Sequence, residues 1–234
     1  MKNVVNTCLV IATLLATSVA FCQGQPVQPA SAIDANVKAD NELGKKASEW
    51  IGSLNLNDAE KEKRLTDVVA THLNAIRDWH NEHPASTVPA GINPLTGNPL
   101  TELDRQVIAD SAIPKNVHQA LMTGLQKDLD KQQVNAVLDK YTIGKVAFTM
   151  AGYKAIVPNM TAQEEETILG YMEQAREQAV DYKSMKEISA IFEIYKTKSE
   201  QYLNANGRNW REMYSAYTAA AKAKKAAEKK QATN

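Results

Sequence analysis

Four side chains at the end of one helical pattern are of the types that bind a sugar. They are Arg77, Trp79, His80 and His83, and a stretch rich in proline and glycine follows them directly. An aromatic face stacks on the C–H surface of a sugar ring, while arginine and histidine bind hydroxyls or a uronate carboxylate. The alternative is that Trp79 is a core residue and the others form a solvated helix end. The site hypothesis takes Arg77, Trp79 and His80 as ligand-binding residues.

A second group of polar or amphipathic candidates lies in the later helical patterns. Its members are Tyr153, Lys154, Arg176, Asp181, Tyr195 and Lys196. They could converge on a pocket between the last three helices and bind a ligand there. Arg176 and Asp181 are five residues apart, which suits a helical i,i+4 pair poorly, so each is expected to find partners elsewhere. The alternative is interhelical ion pairing, which uses the same residue types.

The sequence leaves catalysis open. A lyase-like acid–base site could be composed of Asp78, His80, Tyr153, Arg176, Asp181 and Lys196. Nothing in the spacing of these residues demands it. The chain lacks a glycine-rich phosphate loop, a His-Glu-x-x-His motif and a Gly-x-Ser-x-Gly elbow.

The histidine spacing argues against a metal site. His80 and His83 lie on one helical face, but Pro84 ends the helix and the spacing indicates no third ligand. His72 and His118 lie on apolar faces and are expected to be core or boundary residues. We therefore predict no metal and no cofactor.

Composition favours an all-α protein that does not bind nucleic acid. The 234 residues contain 27 Lys and Arg against 27 Asp and Glu, so no basic surplus exists to neutralise a phosphate backbone. Aromatic content of 6% is low for a β-sandwich, and Gly and Pro are too scarce for a low-complexity chain. With 44% hydrophobic residues the chain can build an ordinary packed core.

The first 24 residues have the pattern of a secretory signal peptide. Lys2 precedes an apolar run from Cys8 to Phe21, which is shorter than the roughly 20 residues that span a bilayer. Residues 25–35 predict a flexible tether. We expect export to the periplasm or cell surface with no stable membrane insertion after cleavage. Lipidation of Cys22 is less favoured, because Phe21 stands where a small residue is needed.

Hydrophobic periodicity predicts a compact bundle of seven or eight helices. The helical domain covers residues 36–210, and residues 211–234 form a Lys/Ala-rich C-terminal helix or tail. Capping boxes are predicted to begin helices at Asn57, Asp130 and Thr161, and they indicate either an internal duplication or the convergence of helix starts on one pattern. Residues 83–101 carry four prolines and two glycines, which predicts an ordered, exposed loop.

Three stretches resemble a known family. They are Tyr141–Gly144, Tyr153–Glu164 and Ala175–Asp181, and they are similar to the secreted Bacteroidota family called domain of unknown function 3826. Tyr195-Lys196 and Tyr202-Leu203 also resemble a family segment, although Thr197 and Lys198 stand where its pattern has Gly-Arg. Arg77–His80 looks like the equivalent helix end. The similarity covers about residues 50–210.

The resemblance implies an all-helical extracytoplasmic protein connected with glycan utilisation and suggested to bind sugars. It leads us to expect an exported glycan-associated binding or accessory protein whose partner is an oligosaccharide, with or without uronate. Two alternatives stay open. One is a carbohydrate-active lyase or hydrolase on acidic oligosaccharides, and the other is a helical periplasmic chaperone or stress protein. The oligomeric state is not indicated.

Overall fold

The computed structural model describes residues 30–94 and 96–231. Contacts divide the chain into a unit from Met1 to Val37 and a unit from Lys38 to Asn234. Within the first unit the described residues form the start of a helix. The predicted signal peptide, residues 1–24, and the first part of the predicted tether lie outside the described residues.

The described part of the chain is all-α, as predicted. Its helices are α1 (Ala30–Gly52), α2 (Ala59–Glu82), α3 (Glu102–Asp110), α4 (Lys115–Asp128), α5 (Lys131–Thr142), α6 (Lys145–Ile156), α7 (Ala162–Ala179), α8 (Met185–Ala205) and α9 (Trp210–Gln231). This is one helix more than the upper prediction of eight. Over the same residues there is no β-strand, only an isolated bridge between Ile92 and Pro99. No helix found there combines the length and apolarity needed to cross a bilayer.

Local capping chemistry explains where most helices begin. Asp130 and Thr161 form the predicted capping boxes of α5 and α7, in which the cap side chain and the residue three positions later exchange hydrogen bonds with each other's backbone amides. Ser184 also forms a capping box, with Glu187, at the start of α8. These starts depend on residues close together in sequence, which is why the pattern predicts them.

The predicted capping box at Asn57 is wrong. The N-cap of α2 is Asp58, whose carboxylate accepts a hydrogen bond from the backbone amide of Lys61. Asn57 has a φ of 54°, whereas an N-cap residue needs an extended backbone. The cap therefore lies one residue later, and the box similarity at Asn57 no longer supports an internal duplication.

Helix α3 was not predicted, although a local signal for it exists. Thr101 and Asp104 form a capping box at its start, and the helix is only nine residues long. The Nε of Arg105 donates a hydrogen bond of 2.8 Å to the carbonyl oxygen of Val88. Residues 83–94 and 96–101 form the predicted irregular stretch, interrupted by a short 3-10 helix (Ala85–Thr87), and α3 packs against that helix.

Two hydrophobic clusters form the core. The first is built mainly from α1, α2, α4 and α5, and the second mainly from α6, α7 and α8. The α7–α8 turn joins them, since Val180 belongs to the first cluster and Tyr182 to the second. Asp181 stands between these two residues, which places a charged group at the boundary of the clusters.

Hydrogen bonds from Arg208 connect the start of α9 to the turn that precedes α7. Arg208 donates two hydrogen bonds to the carboxylate of Glu164 and one each to the carbonyls of Pro158 and Asn159. These hydrogen bonds lower the pKa of Glu164 to about 2, although burial opposes the shift. Asn209 then caps α9 by accepting a hydrogen bond from the backbone amide of Glu212. The position of α9 therefore depends on a partly buried ion pair.

Candidate functional site

A groove with aromatic walls lies between α6, α8 and α9. We call it the aromatic groove, and its principal residues are Phe148, Tyr153, Lys196, Glu200, Trp210, Tyr214 and Tyr217. The groove encloses about 550 Å³, within the range of small-ligand sites. It joins two of the predicted site residues, Tyr153 and Lys196.

The floor of the groove is buried and its upper wall is exposed. Tyr153 is buried, and its hydroxyl donates a hydrogen bond of 3.1 Å to the carbonyl oxygen of Lys196. Burial raises the pKa of Tyr153, so the phenol stays protonated. The Trp210 ring lies 5.3 Å from that of Tyr153, and Tyr214 stacks on Trp210 with ring centroids 5.8 Å apart. A stacked indole and phenol thus form a continuous apolar platform.

Helix α6 leaves space on the opposite wall. A side-chain carbon added at Gly152 would meet no atom within 4 Å, which leaves the groove open at that point. Phe148, one turn earlier, is 81% exposed. An apolar side chain this exposed contributes little to the core, so it is available to a ligand.

Two polar side chains of α8 line the same groove. The Nζ of Lys196 lies 2.8 Å from the carboxylate of Glu193. Glu200 is half-buried, and within the described residues its carboxylate accepts no hydrogen bond. Burial raises the pKa of Glu200, and the charge of Lys196 only partly offsets the effect. The groove therefore offers an aromatic platform beside an unused hydrogen-bond acceptor.

A second, polar cavity surrounds Asp181 and encloses about 470 Å³. The carboxylate of Asp181 accepts from His72 Nε2 at 3.0 Å and from His118 Nδ1 at 2.9 Å. Tyr195, another predicted site residue, lines this cavity and donates a hydrogen bond to Gln178. The last three helices therefore do not bring Asp181 and Tyr195 to the groove that holds Tyr153 and Lys196.

The two histidines differ in exposure. His72 is buried, as predicted, whereas 25% of the His118 side chain is exposed to the cavity. The hydrogen bond with Asp181 raises the pKa of His118. Burial opposes ionisation of Asp181, but the hydrogen bonds from His118 and His72 outweigh it and lower the pKa of the carboxyl. His118 is therefore a protonatable group on the cavity wall.

Three of the predicted ligand-binding residues are occupied by contacts within the protein. Arg77 pairs with Asp40 of α1 and with Asp78. The indole N–H of Trp79 donates to the carbonyl oxygen of Ala109 at 3.1 Å. Arg176 is only 5% exposed and bridges α7 to Asp139 and Asn135 of α5. For Arg176 the alternative of interhelical ion pairing is the one that the contacts match.

His80, the remaining candidate, faces two buried carboxylates. Its Nδ1 lies 2.9 Å from Asp110 and 3.8 Å from Glu187. His83 does not join this group, since its Nδ1 contacts the carbonyl oxygen of Trp79 at 2.8 Å. The shared helical face of His80 and His83 therefore does not bring the two imidazoles to one partner. Asp110 and Glu187 were missed because they are distant in sequence from His80.

The aromatic groove was also missed in large part. Trp210, Tyr214 and Tyr217 repeat at steps of four and three residues along α9. That periodicity was available in the sequence, but it indicates only a shared helix face and not the presence of a facing groove.

Comparison with known proteins identifies the family. The sequence profile described as protein of unknown function (DUF3826) matches residues 40–223, from the first half of α1 into α9. No curated protein matches the chain. Because the profile covers most of the sequence, the chain belongs to the DUF3826 family of proteins of unknown function.

Proposed function

We propose that the protein binds a neutral oligosaccharide in the aromatic groove. The observation that supports the proposal best is the stacked pair of Trp210 and Tyr214 beside the unpartnered carboxylate of Glu200. Aromatic faces pack on the C–H surfaces of sugar rings, and a carboxylate accepts hydrogen bonds from sugar hydroxyls. A sugar combines both kinds of surface in one ring.

The charge of the groove favours neutral sugars over uronates. Glu200 would repel a uronate carboxylate, and Lys196, which also lines the groove, already pairs with Glu193. The proposal therefore restricts the oligosaccharide partner expected from the sequence to neutral sugars. Glu200→Gln keeps an acceptor but removes the charge, so it should improve the binding of uronate oligosaccharides relative to neutral ones.

The proposed role is that of an exported binding or accessory protein of a polysaccharide-utilisation system in Bacteroidota. Its support is the secretory pattern of residues 1–24 and the glycan connection implied by the family resemblance. Fractionation of cells that express the full chain tests export. Recovery of an uncleaved chain in the cytoplasm would contradict this part of the proposal.

Calorimetry with neutral and uronate-containing oligosaccharides tests the groove. At 100 times its dissociation constant a ligand adds about 2.7 kcal/mol to stability, so thermal shift can screen the panel first. Tyr214→Ala should weaken binding by up to about tenfold, because a stacked aromatic contact contributes up to about 1.5 kcal/mol. Tyr171→Ala is the matched control, since Tyr171 packs against Tyr202 and does not line the groove.

Tryptophan fluorescence locates the bound sugar. The chain has three tryptophans, Trp50, Trp79 and Trp210, and only Trp210 lines the groove. A double Trp50→Phe, Trp79→Phe variant should therefore keep the fluorescence change on ligand addition. The absence of binding by every sugar, or an equal effect of Tyr214→Ala and Tyr171→Ala, would refute the groove as a glycan site.

The Asp181 cavity supports one alternative, an enzyme acting on acidic oligosaccharides. His118 is protonatable and partly exposed there, which suits a general acid. Product analysis on the calorimetry mixtures discriminates between the two functions. Turnover that is lost in His118→Gln with the fold preserved would favour the enzyme.

The other alternative, a chaperone, would use the exposed apolar side chains of the aromatic groove. Suppression of aggregation of a reduced, unfolded client protein, competed by no sugar, would favour it over the glycan proposal.

A further inference from the structure

Three helices bring three metal-ligand side chains to one buried point. His80 is near the end of α2, Asp110 is the last residue of α3 and Glu187 is in the first turn of α8. One ligand atom from each lies within 4.8 Å of the other two. We call these three residues the His80 cluster. We propose that the His80 cluster binds a divalent first-row transition-metal ion such as Zn²⁺ or Mn²⁺.

The charge balance of the cluster calls for a cation. The side chains of Asp110 and Glu187 are 3% and 5% exposed. Among the described residues neither carboxylate has a lysine or arginine within ion-pair distance. Lys183, the nearest lysine along the chain before α8, donates instead to Asn81. A single imidazolium could neutralise only one of the two carboxylates, and buried charges are normally paired or bound to metal.

One oxygen atom of the cluster has no hydrogen-bond donor. Glu187 Oε2 accepts from the backbone amide of Ser184 at 2.9 Å, which orients the carboxylate. Glu187 Oε1 points toward His80 Nδ1 at 3.8 Å and accepts no hydrogen bond from the described residues. An unpartnered carboxylate oxygen on a side chain this deeply buried is the arrangement that a metal ligand requires.

The surrounding residues hold the ligands in place. Gln106 donates to Asp110 Oδ1 at 3.0 Å and to the carbonyl oxygen of His83 at 3.1 Å. Asp110 Oδ2 stays directed at His80, 2.9 Å away. Hydrogen bonds of this kind orient metal ligands and contribute to affinity.

The donor set selects the class of ion. One imidazole nitrogen and two carboxylate oxygens suit zinc, manganese or iron better than calcium, which prefers oxygen ligands alone. Ligands at about 2.1 Å from an ion stand about 3 to 4 Å apart, so a small rotation of a carboxylate completes the site. The His80 side chain is 22% exposed, which gives the ion an entry path.

Calorimetry with Zn²⁺ and with Mn²⁺ alone tests the site on the full chain after chelator treatment. The expected result is one ion per chain with a micromolar or tighter dissociation constant for at least one ion. Glu187→Gln should weaken binding at least about tenfold, which is about 1.4 kcal/mol. Glutamine still offers an oxygen to the Ser184 amide, so α8 keeps its cap. His80→Ala should abolish binding.

His83→Gln is the matched control, because it alters a histidine three residues away that lies outside the cluster. It should leave the affinity unchanged, with circular dichroism showing that every variant is folded. Failure of both ions to bind would overturn the proposal. So would binding that survives Glu187→Gln and His80→Ala, since the ion would then lie elsewhere. The result is independent of whether the aromatic groove binds a glycan.

Discussion

The aromatic groove and the His80 cluster differ in the kind of chemical group that they offer to a ligand and in how deeply it is buried. The groove exposes apolar rings, with Phe148 at 81% and Tyr214 at 50% exposure. The cluster buries acidic side chains, since Asp110 and Glu187 are almost fully buried between helices. Exposed apolar groups leave the stability of the fold nearly untouched, whereas buried charges are part of it. Binding and stability should therefore respond separately to substitution in the two regions.

The contrast also follows from chain topology. Of the three groove rings on α9, Trp210 packs against the second hydrophobic cluster, whereas Tyr214 and Tyr217 are exposed and can change without loss of that packing. The cluster joins α2, α3 and α8, so the loss of one member leaves polar groups unpaired on two others. Four variants test this difference, beginning with the largest expected effect.

Asp110→Ala should lower the free energy of unfolding by about 3 kcal/mol, because His80 and Gln106 would lose their shared buried acceptor. Urea denaturation measures the change. Asp67→Ala is the control, since Asp67 is 65% exposed and pairs only with Lys63, and it should cost less than about 0.5 kcal/mol. Equal effects would show that the cluster does not stabilise the fold.

Glu164→Gln should cost about 2 kcal/mol at neutral pH by weakening the hydrogen bonds from Arg208 that hold α9. Since the pKa of Glu164 is lowered to about 2, the contribution is complete above the unfolded pKa of 4.5 and is lost as pH falls toward 2. Thermal unfolding from pH 7 to pH 2 should therefore show the two proteins converging in acid. Glu166→Gln, at an exposed position two residues further along α7, should leave the profile parallel to that of the wild type.

Tyr153→Phe should cost about 1 kcal/mol by removing the hydrogen bond to the Lys196 carbonyl at the groove floor. Tyr214→Phe is the comparison. The Tyr214 hydroxyl makes no hydrogen bond with the described residues, so its removal should hardly change the free energy of unfolding. Both are measured by chemical denaturation. If the order were reversed, the upper wall of the groove and not its floor would be structural.

Phe148→Ser should have the smallest effect, within about 0.5 kcal/mol, because exposed substitutions away from the core change stability little. Sugar affinity should nevertheless fall if the ring contacts the ligand. Calorimetric unfolding measures the change. A decrease of more than about 1 kcal/mol in the free energy of unfolding would show that the groove rings stabilise the fold as the His80 cluster does.

Part of the candidate site could be predicted from residue type alone. Tyr153 and Lys196 were predicted as site residues, and they do meet in one groove. His80 was also singled out as a binding residue, but the two carboxylates that face it were not. Spacing along one helix finds neighbours on that helix only, so Asp110 and Glu187, from two other helices, could not be found in this way.

Local interactions explain what the sequence by itself determined: the all-α class, the caps at Asp130, Thr161, Ser184 and Asn209, and the irregular loop after α2. Each depends on residues within four positions of one another, where periodicity and capping chemistry act.

Only the tertiary structure decided which faces meet. Arg176 forms an ion pair with Asp139 of α5, and Asp181 accepts hydrogen bonds from the histidines of α2 and α4. Helix α9 forms one side of the aromatic groove. Such contacts join residues far apart in sequence, and they follow from how the two hydrophobic clusters pack, which no local pattern encodes.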